Sequence, residues 1–273
     1  MSEQPQASKE RMQPVQTMTA QEAAGVQYVL TDIDDTLTRD GRLPEVAYSS
    51  IWRLYEKGFK VIPVTGRPAG WCDLIARHWP VEAIIGENGA FVLYMEDGKL
   101  EEFYHPSVNP EAMKDKMQEM SQAVYSQVPG TRPAKDQFSR KFDLAIDFKE
   151  EPPFLELKDA ERIKEICESY GAQAKISSIH VNAWFGNYDK LATTKLFFST
   201  KYGLDLDKDN SLVCFSGDSP NDEPMFEFFN LSCGVANFKP MQHLVDYPPR
   251  FICNKNDAEG FAELVEILCR ERA

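Results

Sequence analysis

No stretch of these 273 residues approaches the roughly 18–20 consecutive apolar positions that a membrane span needs. The first 24 residues hold no apolar run of the length a secretory leader uses, so the sequence reads as cytoplasmic and without a membrane partner. Positive charge is short as well: 30 lysines and arginines stand against 43 aspartates and glutamates, a formal net charge of −13. A polyanion would be repelled over most of such a surface, which argues against nucleic acid as a partner. Histidine is scarce at four residues, and the six cysteines are scattered without a CxxC pair. Neither a zinc site nor a disulfide frame is expected, and the thiols read as reduced and buried. Internal repeats are absent too. The glutamine-rich residues 1–24 lack apolar periodicity and read as a tail, disordered or loosely docked.

What is present is ordinary globular material, 42% hydrophobic and 27% charged, on a chain long enough for two modest domains. From Gly25 onward, near-continuous apolar strands alternate with helices: VQYVLT (26–31), a helix over 44–57, KVIPVT (60–65), a helix near 68–78, and VEAIIG (81–86). The pattern returns at SLVCFSG (211–217), with a helix from about Glu223. Strands that are apolar throughout belong to a parallel sheet covered by helices on both faces, an α/β, Rossmann-like core. Residues 91–186 read differently. A hairpin turns at Glu96-Asp97-Gly98, helices cover 109–127 and 158–170, and DLAIDF, AQAKIS and IHVNAWF alternate between apolar and polar. That is an α+β domain inserted into the core, giving a core of 25–90 and 187–273 around a cap of 91–186.

Core strands end in polar groups at their carboxyl ends: Asp32 and Asp34, Thr65, and Asp218 with Asp222. In open parallel sheets the ligand crevice lies outside those ends, so the groups converge although far apart in sequence. Clustered carboxylates repel unless a cation sits among them, and hard oxygen donors suit Mg²⁺, which in turn favours substrate phosphate oxygens. Singly, each piece also serves as a turn or helix cap: an Asp-x-Asp pair, Thr65-Gly66-Arg67-Pro68, or GDSPND (217–222). Their joint occurrence, in order and each at a strand end, points to a site.

TDIDDTLT (31–38), VIPVTGRP (61–68), the lysine of NYDKLATTK (187–195) and GDSPND (217–222) resemble the four motifs of the haloacid-dehalogenase-type phosphohydrolases. The layout is most similar to the subgroup with an α/β cap, which includes Cof-type sugar phosphatases, sucrose-phosphate phosphatase and mannosyl-phosphoglycerate phosphatase. ENGA (87–90) and GVAN (234–237) resemble segments of that subgroup. One position departs: Asp35 stands where the motif commonly has glycine. The resemblance implies a Mg²⁺-dependent phosphatase of a small phosphorylated metabolite, a sugar phosphate first among them; the sequence leaves monomer and homodimer both open. It makes Asp32 the nucleophile and Asp34 the acid and base. It gives the metal to Asp32, Asp34 (through its carbonyl), Asp218 and Asp222, the last alternatively orienting Lys190. Thr65 and the Gly66 N–H would hold phosphoryl oxygens and Lys190 would neutralise charge, with Lys195 its rival. Arg67, Asn88 and Asn221 are further binding candidates. A phosphomutase of the phosphomannomutase type is the enzymatic alternative, and a non-catalytic phospho-ligand-binding protein the other.

Alternation in the cap strands sorts the remaining candidates. Val181, Ala183 and Phe185 share one face with Leu144, Ile146 and Phe148, the natural side for the helices. His180, Asn182 and Trp184 take the other, expected to be an open polar face suited to hydroxyls and a sugar ring. Arg132, Lys135, Arg140 and Lys141 could add recognition of an anionic group.

Overall fold

The computed structural model describes residues 11–177, 179–270 and 272. By compactness the chain divides into a split unit, Met1–Pro63 with Asp205–Ala273, and a continuous unit, Val64–Leu204.

The split unit is built on six parallel strands in the order Gln13–Pro14, Phe251–Ile252, Leu231–Gly234, Val213–Gly217, Tyr28–Thr31, Lys60–Pro63. The expected parallel α/β core is therefore present, its central strands buried at every residue, but VEAIIG is not part of it: Ile84–Gly86 pairs antiparallel with Phe91–Glu96 in a separate sheet. Helices Glu45–Glu56 and Asp257–Arg270 pack on each other, each burying an apolar stripe such as Ala47, Ile51 and Leu54 on the first. Strands Tyr28–Thr31 and Val213–Gly217 are direct neighbours, with Thr31 opposite Ser216. That register is what puts Asp32 beside Asp218 across 186 positions of sequence.

Residues 11–24 depart from the expected loose tail. Gln13–Pro14 adds a parallel edge to Phe251–Ile252, Val15 is fully buried, and the helix Ala20–Gly25 opens on a capping box between Thr19 and Glu22. Arg11 donates to the carbonyls of Phe226 and Pro248. Two-residue pairings leave no periodicity for a sequence reading to find. The part of that expectation covering residues 1–10 lies outside the described residues.

The continuous unit holds two antiparallel sheets. Ile84–Gly86, Phe91–Glu96 and Lys99–Tyr104 form one, the hairpin turning at Asp97 and Gly98 with φ of +49° and +75°. The other runs Arg132–Pro133, Asp143–Asp147, His180–Trp184, Gln173–Ile176. Helices Pro110–Gln127 and Leu157–Ser169 bury Met120, Val124, Ile163 and Ile166 against Leu144, Ile146, Val181 and Ala183, the face that alternation assigned to them. All six cysteines of the chain are buried. Among the described residues no helix is long and apolar enough to cross a membrane.

Candidate functional site

In the split unit, the carboxylates of Asp32, Asp218 and Asp222 lie with one oxygen each within 4.8 Å of one another, and all three residues are buried. Each is placed by backbone. Asp32 continues its strand and its N–H donates to the Ser216 carbonyl at 2.9 Å. Asp222 sits in the turn Pro220–Asp222, and its Oδ2 accepts the Asp218 N–H at 3.2 Å. Gly217 permits this fold-back, because a Cβ there would stand 2.4 Å from Asp222 Oδ2. Thr36 Oγ1 donates to Asp218 Oδ1 at 3.2 Å. The GDSPND segment thus does form a turn, but its final carboxylate is turned inward onto Asp218 instead of capping the helix Glu223–Phe228. Three buried carboxylates this close repel, and an oxygen-rich, compact donor set of this kind fits Mg²⁺.

Asp34 is half-buried and its carboxylate stands outside that cluster of three. The turn around it is tightly specified. Ile33 O accepts from the N–H groups of Leu37 and Thr38 at 2.9 and 3.0 Å, and Asp35 N–H donates to Thr38 Oγ1 at 3.1 Å. Asp35 has φ +55°, which explains why glycine suits the position and why aspartate is tolerated there. Asn237 clamps it, donating from Nδ2 to the Asp35 carbonyl while its Oδ1 accepts the Asp257 N–H, both at 2.9 Å. Asn221, half-buried beside the cluster in sequence, accepts from Ser219 Oγ at 2.9 Å.

The continuous unit carries the other candidates. Val64 bridges Ile85, and Thr65 N–H donates to the Ile85 carbonyl. Thr65 is buried, and its Oγ1 accepts the Arg67 N–H at 3.0 Å, closing a tight turn around Gly66. Asn88, at φ +58°, donates its N–H to the Thr65 carbonyl and its Nδ2 to Asp143. Arg67 lies over the Trp71 ring at 4.4 Å, with Asp136 at 3.8 Å. Lys190 is buried in the first turn of the helix Lys190–Tyr202, which Asp189 caps by accepting from Ala192 N–H. Gly89, at φ +105°, lets the ENGA turn press on that helix start: a Cβ would stand 2.2 Å from the Asp189 carbonyl oxygen. Lys195, its rival, is half-buried one turn further on.

The polar face of the second sheet is not open. His180, Asn182 and Trp184 are 3%, 7% and 1% exposed. His180 Nε2 meets Glu150 at 2.8 Å, Asn182 donates to Asp143, and Trp184 Nε1 donates to the Tyr188 carbonyl while stacking on its ring. The four basic residues expected to add recognition are ion-paired instead: Arg132 with Asp147, Lys135 with Glu151, Arg140 with Asp143 and Asp136, Lys141 with Glu102. Alternation identifies which residues share a face but not what covers it.

One residue the motifs contain was passed over. Glu87, of ENGA, is fully buried at φ +41° and accepts backbone N–H groups from Ala69, Lys141, Phe142 and Asp143. Burial, then the neighbouring Asp143, push its carboxyl up to about 7. Arg140 completes the knot, donating to both Asp143 oxygens and to the Gly66 carbonyl at 2.9 Å. Despite the desolvation that burial imposes, Asp143 and Asp136 hold its guanidinium above the usual range. The available signal was a glutamate closing an otherwise apolar strand.

Residues 29–128 match a family model described as haloacid dehalogenase-like hydrolase. No curated protein matches the sequence. Among solved structures, a HAD/COF-like hydrolase of Plasmodium vivax shares 16% identity with a TM-score of 0.66, covering 92% of this chain and 99% of that one. The C-terminal domain of C. albicans trehalose-6-phosphate phosphatase gives 14%, 0.70, 97% and 99% respectively. A subclass IIB sugar phosphatase of the HAD superfamily gives 13%, 0.61, 88% and 98%. The motif-bearing strands, the acidic cluster at their ends and these likenesses agree: residues 29–128 are similar to the haloacid dehalogenase-like hydrolases by family match, and most of the chain is similar in fold to these solved structures.

Proposed function

We propose that the protein is a phosphatase of small phosphorylated metabolites, a sugar phosphate in the first instance, acting through an aspartyl-phosphate on Asp32. The observation that carries this reading is the buried triad Asp32, Asp218 and Asp222 at the ends of adjacent parallel strands, with a second acid, Asp34, two residues past the first. Those three carboxylates, with the Asp34 carbonyl, would hold Mg²⁺, which when bound offsets their charge and that of the phosphoryl oxygens. Asp32 attacks phosphorus as the bond to the leaving oxygen breaks, and Asp34 supplies the proton that oxygen needs. Water then attacks the aspartyl-phosphate, Asp34 takes its proton, and inorganic phosphate leaves. Thr36 steadies Asp218, and Gly217 gives Asp222 room to do the same from the other side. In the continuous unit, Thr65 and Gly66 take the role of phosphoryl-oxygen donors and Lys190 that of the neutralising cation. The preference for sugar phosphates rests on the named activities of structural relatives.

The test is phosphate release across sugar phosphates, trehalose 6-phosphate included, with nucleotides and phosphoglycerates as comparators, in EDTA and in Mg²⁺. Release from at least one sugar phosphate, only with Mg²⁺, is expected. Turnover that persists in chelator, or retention of the phosphoryl group on product without phosphate release, would overturn it.

A further inference from the structure

The turn Thr65-Gly66-Arg67 lies wholly within the continuous unit, between the Val64–Ile85 bridge and the helix Ala69–His78. Among the described residues its backbone is paired at every group but one. The Thr65 N–H donates to the Ile85 carbonyl and the Arg67 N–H to Thr65 Oγ1. The Thr65 carbonyl accepts the Asn88 N–H at 3.1 Å, and the Arg67 carbonyl accepts the Glu87 N–H at 3.2 Å. Arg140 Nη1 donates to the Gly66 carbonyl at 2.9 Å. The Gly66 N–H is left over, on a half-buried residue. Backbone donors inside a fold are nearly all paired, so a donor kept open in an otherwise satisfied turn is one that an anion can use. Glycine is also the residue whose flanking peptides rotate most freely, and here both are pinned from the carbonyl side. In a trans peptide the N–H points opposite to the C=O, so fixing the Thr65 carbonyl fixes the direction of the Gly66 N–H. Arg140 does the same for the next peptide, setting the Arg67 N–H against Thr65 Oγ1. Both clamps lead to one carboxylate. Buried Asp143 accepts Arg140 Nη1 on its two oxygens, and its Oδ2 accepts Asn88 Nδ2 at 3.2 Å and Asn182 Nδ2 at 3.0 Å. The Arg140 side chain is 1% exposed, and charge-assisted bonds of this kind make a rigid mount.

We propose that Arg140, anchored on Asp143, is a positioning residue of the phosphoryl site: it holds the Gly66–Arg67 peptide and, with the Asn88 clamp on the Thr65 carbonyl, presets the Gly66 N–H as a donor to an anionic phosphoryl oxygen. The assignment rests on the phosphatase reading, which gives that oxygen to Thr65 and Gly66. Arg140 acts through Gly66 and touches no reacting atom. Its contribution is orientation in advance, since a donor already fixed where charge develops need not reorganise during the reaction.

Thr65-Gly66 is the single Thr-Gly pair of the chain, so isotopic labels on threonine carbonyl carbon and glycine nitrogen leave one carbonyl-to-amide correlation in the NMR spectrum. Arg140→Met should displace or split that signal in the ligand-free, full-length protein. The same variant should weaken inhibition by orthovanadate, a phosphoryl mimic, roughly tenfold, and lower kcat on p-nitrophenyl phosphate by about ten- to a hundredfold. An inhibition constant does not depend on the fraction of chains that are folded, so a purely structural loss would lower turnover and leave that constant unchanged. Arg140→Lys keeps the charge beside Asp143 and serves if the methionine variant folds poorly. One ammonium in place of a planar fork should move the signal and the inhibition in the same direction, by less. A signal unmoved in both variants, or unchanged vanadate inhibition, would overturn the positioning role. Wild-type protein that releases no phosphate, while the signal still moves in Arg140→Met, would overturn the phosphatase reading and the phosphoryl role of Arg140 with it, the pinned turn itself standing.

Discussion

At the residue scale, Asp32 and Asp34 share a motif but not an environment: one is buried in the acidic cluster, the other half-buried outside it. Substitution should separate them. Asp32→Asn is expected to remove acid-stable phosphoprotein and to lower turnover at least about a thousandfold, since the proposed nucleophile is gone. Asp34→Asn should still be phosphorylated by an aryl phosphate, whose leaving group needs little proton transfer, and then hydrolyse slowly. Acid-quench trapping of the phosphoprotein reads both. Near-normal turnover by Asp32→Asn would remove the nucleophile assignment.

Glu87 makes a different prediction on the same scale. Its carboxyl lies near 7 when folded against an ordinary 4.5, so between these values the folded chain binds more protons than the unfolded one. Stability contributed by this group is therefore full below about 4.5 and declines as pH rises through 7. Four backbone N–H groups favour the ionised form, and burial together with Asp143 outweighs them. Thermal midpoints measured from pH 5 to 8 should fall with pH, and Glu87→Gln should flatten that slope. Parallel profiles for the two proteins would show that the carboxyl does not titrate there.

At the scale of elements, the pairing of Gln13–Pro14 with Phe251–Ile252 covers a sheet edge that would otherwise present unpaired backbone. Removing residues 1–24 takes away that strand, buried Val15, the Arg11 hydrogen bonds and the Glu22–Arg250 ion pair. The truncated chain should unfold at lower urea and associate through the bared edge, measured by chemical denaturation and light scattering. An unchanged midpoint would return this segment to the status of a tail.

How much of this was legible differed by element for physical reasons. Buried parallel strands are apolar runs, so Tyr28–Thr31, Lys60–Pro63 and Val213–Gly217 fell inside their expected ranges, and the acidic residues past their ends could be grouped by topology alone. The hairpin at Asp97-Gly98 declared itself through turn chemistry. The Asp143 cluster did not, because Asn88, Arg140 and Asn182 reach that carboxylate from three places in the sequence and nothing local marks them as partners. Trp184 was placed on the correct face and in the wrong surroundings: its cover, the Tyr188 ring and carbonyl, comes from the following turn.

At the scale of the whole molecule, a cation that binds the folded triad and not the unfolded chain must raise stability by mass action. Mg²⁺ added to chelator-treated protein should lift the thermal midpoint, and Asp218→Asn should remove most of that lift without substrate present. A rise of equal size in the variant would place the ion elsewhere.

The strand order of the split unit also limits which pairings can form before the chain is fully made. Tyr28–Thr31 emerges early, yet one of its two neighbours, Val213–Gly217, is among the later segments to be made. Among the described residues, every strand pairing of 64–204 closes within those residues. The middle of the chain can therefore complete its pairings while Tyr28–Thr31 still lacks one of its two neighbours. Asp218 can join Asp32 only after the chain has been made past residue 217, later than the whole of residues 64–204 and ahead of the strands Leu231–Gly234 and Phe251–Ile252.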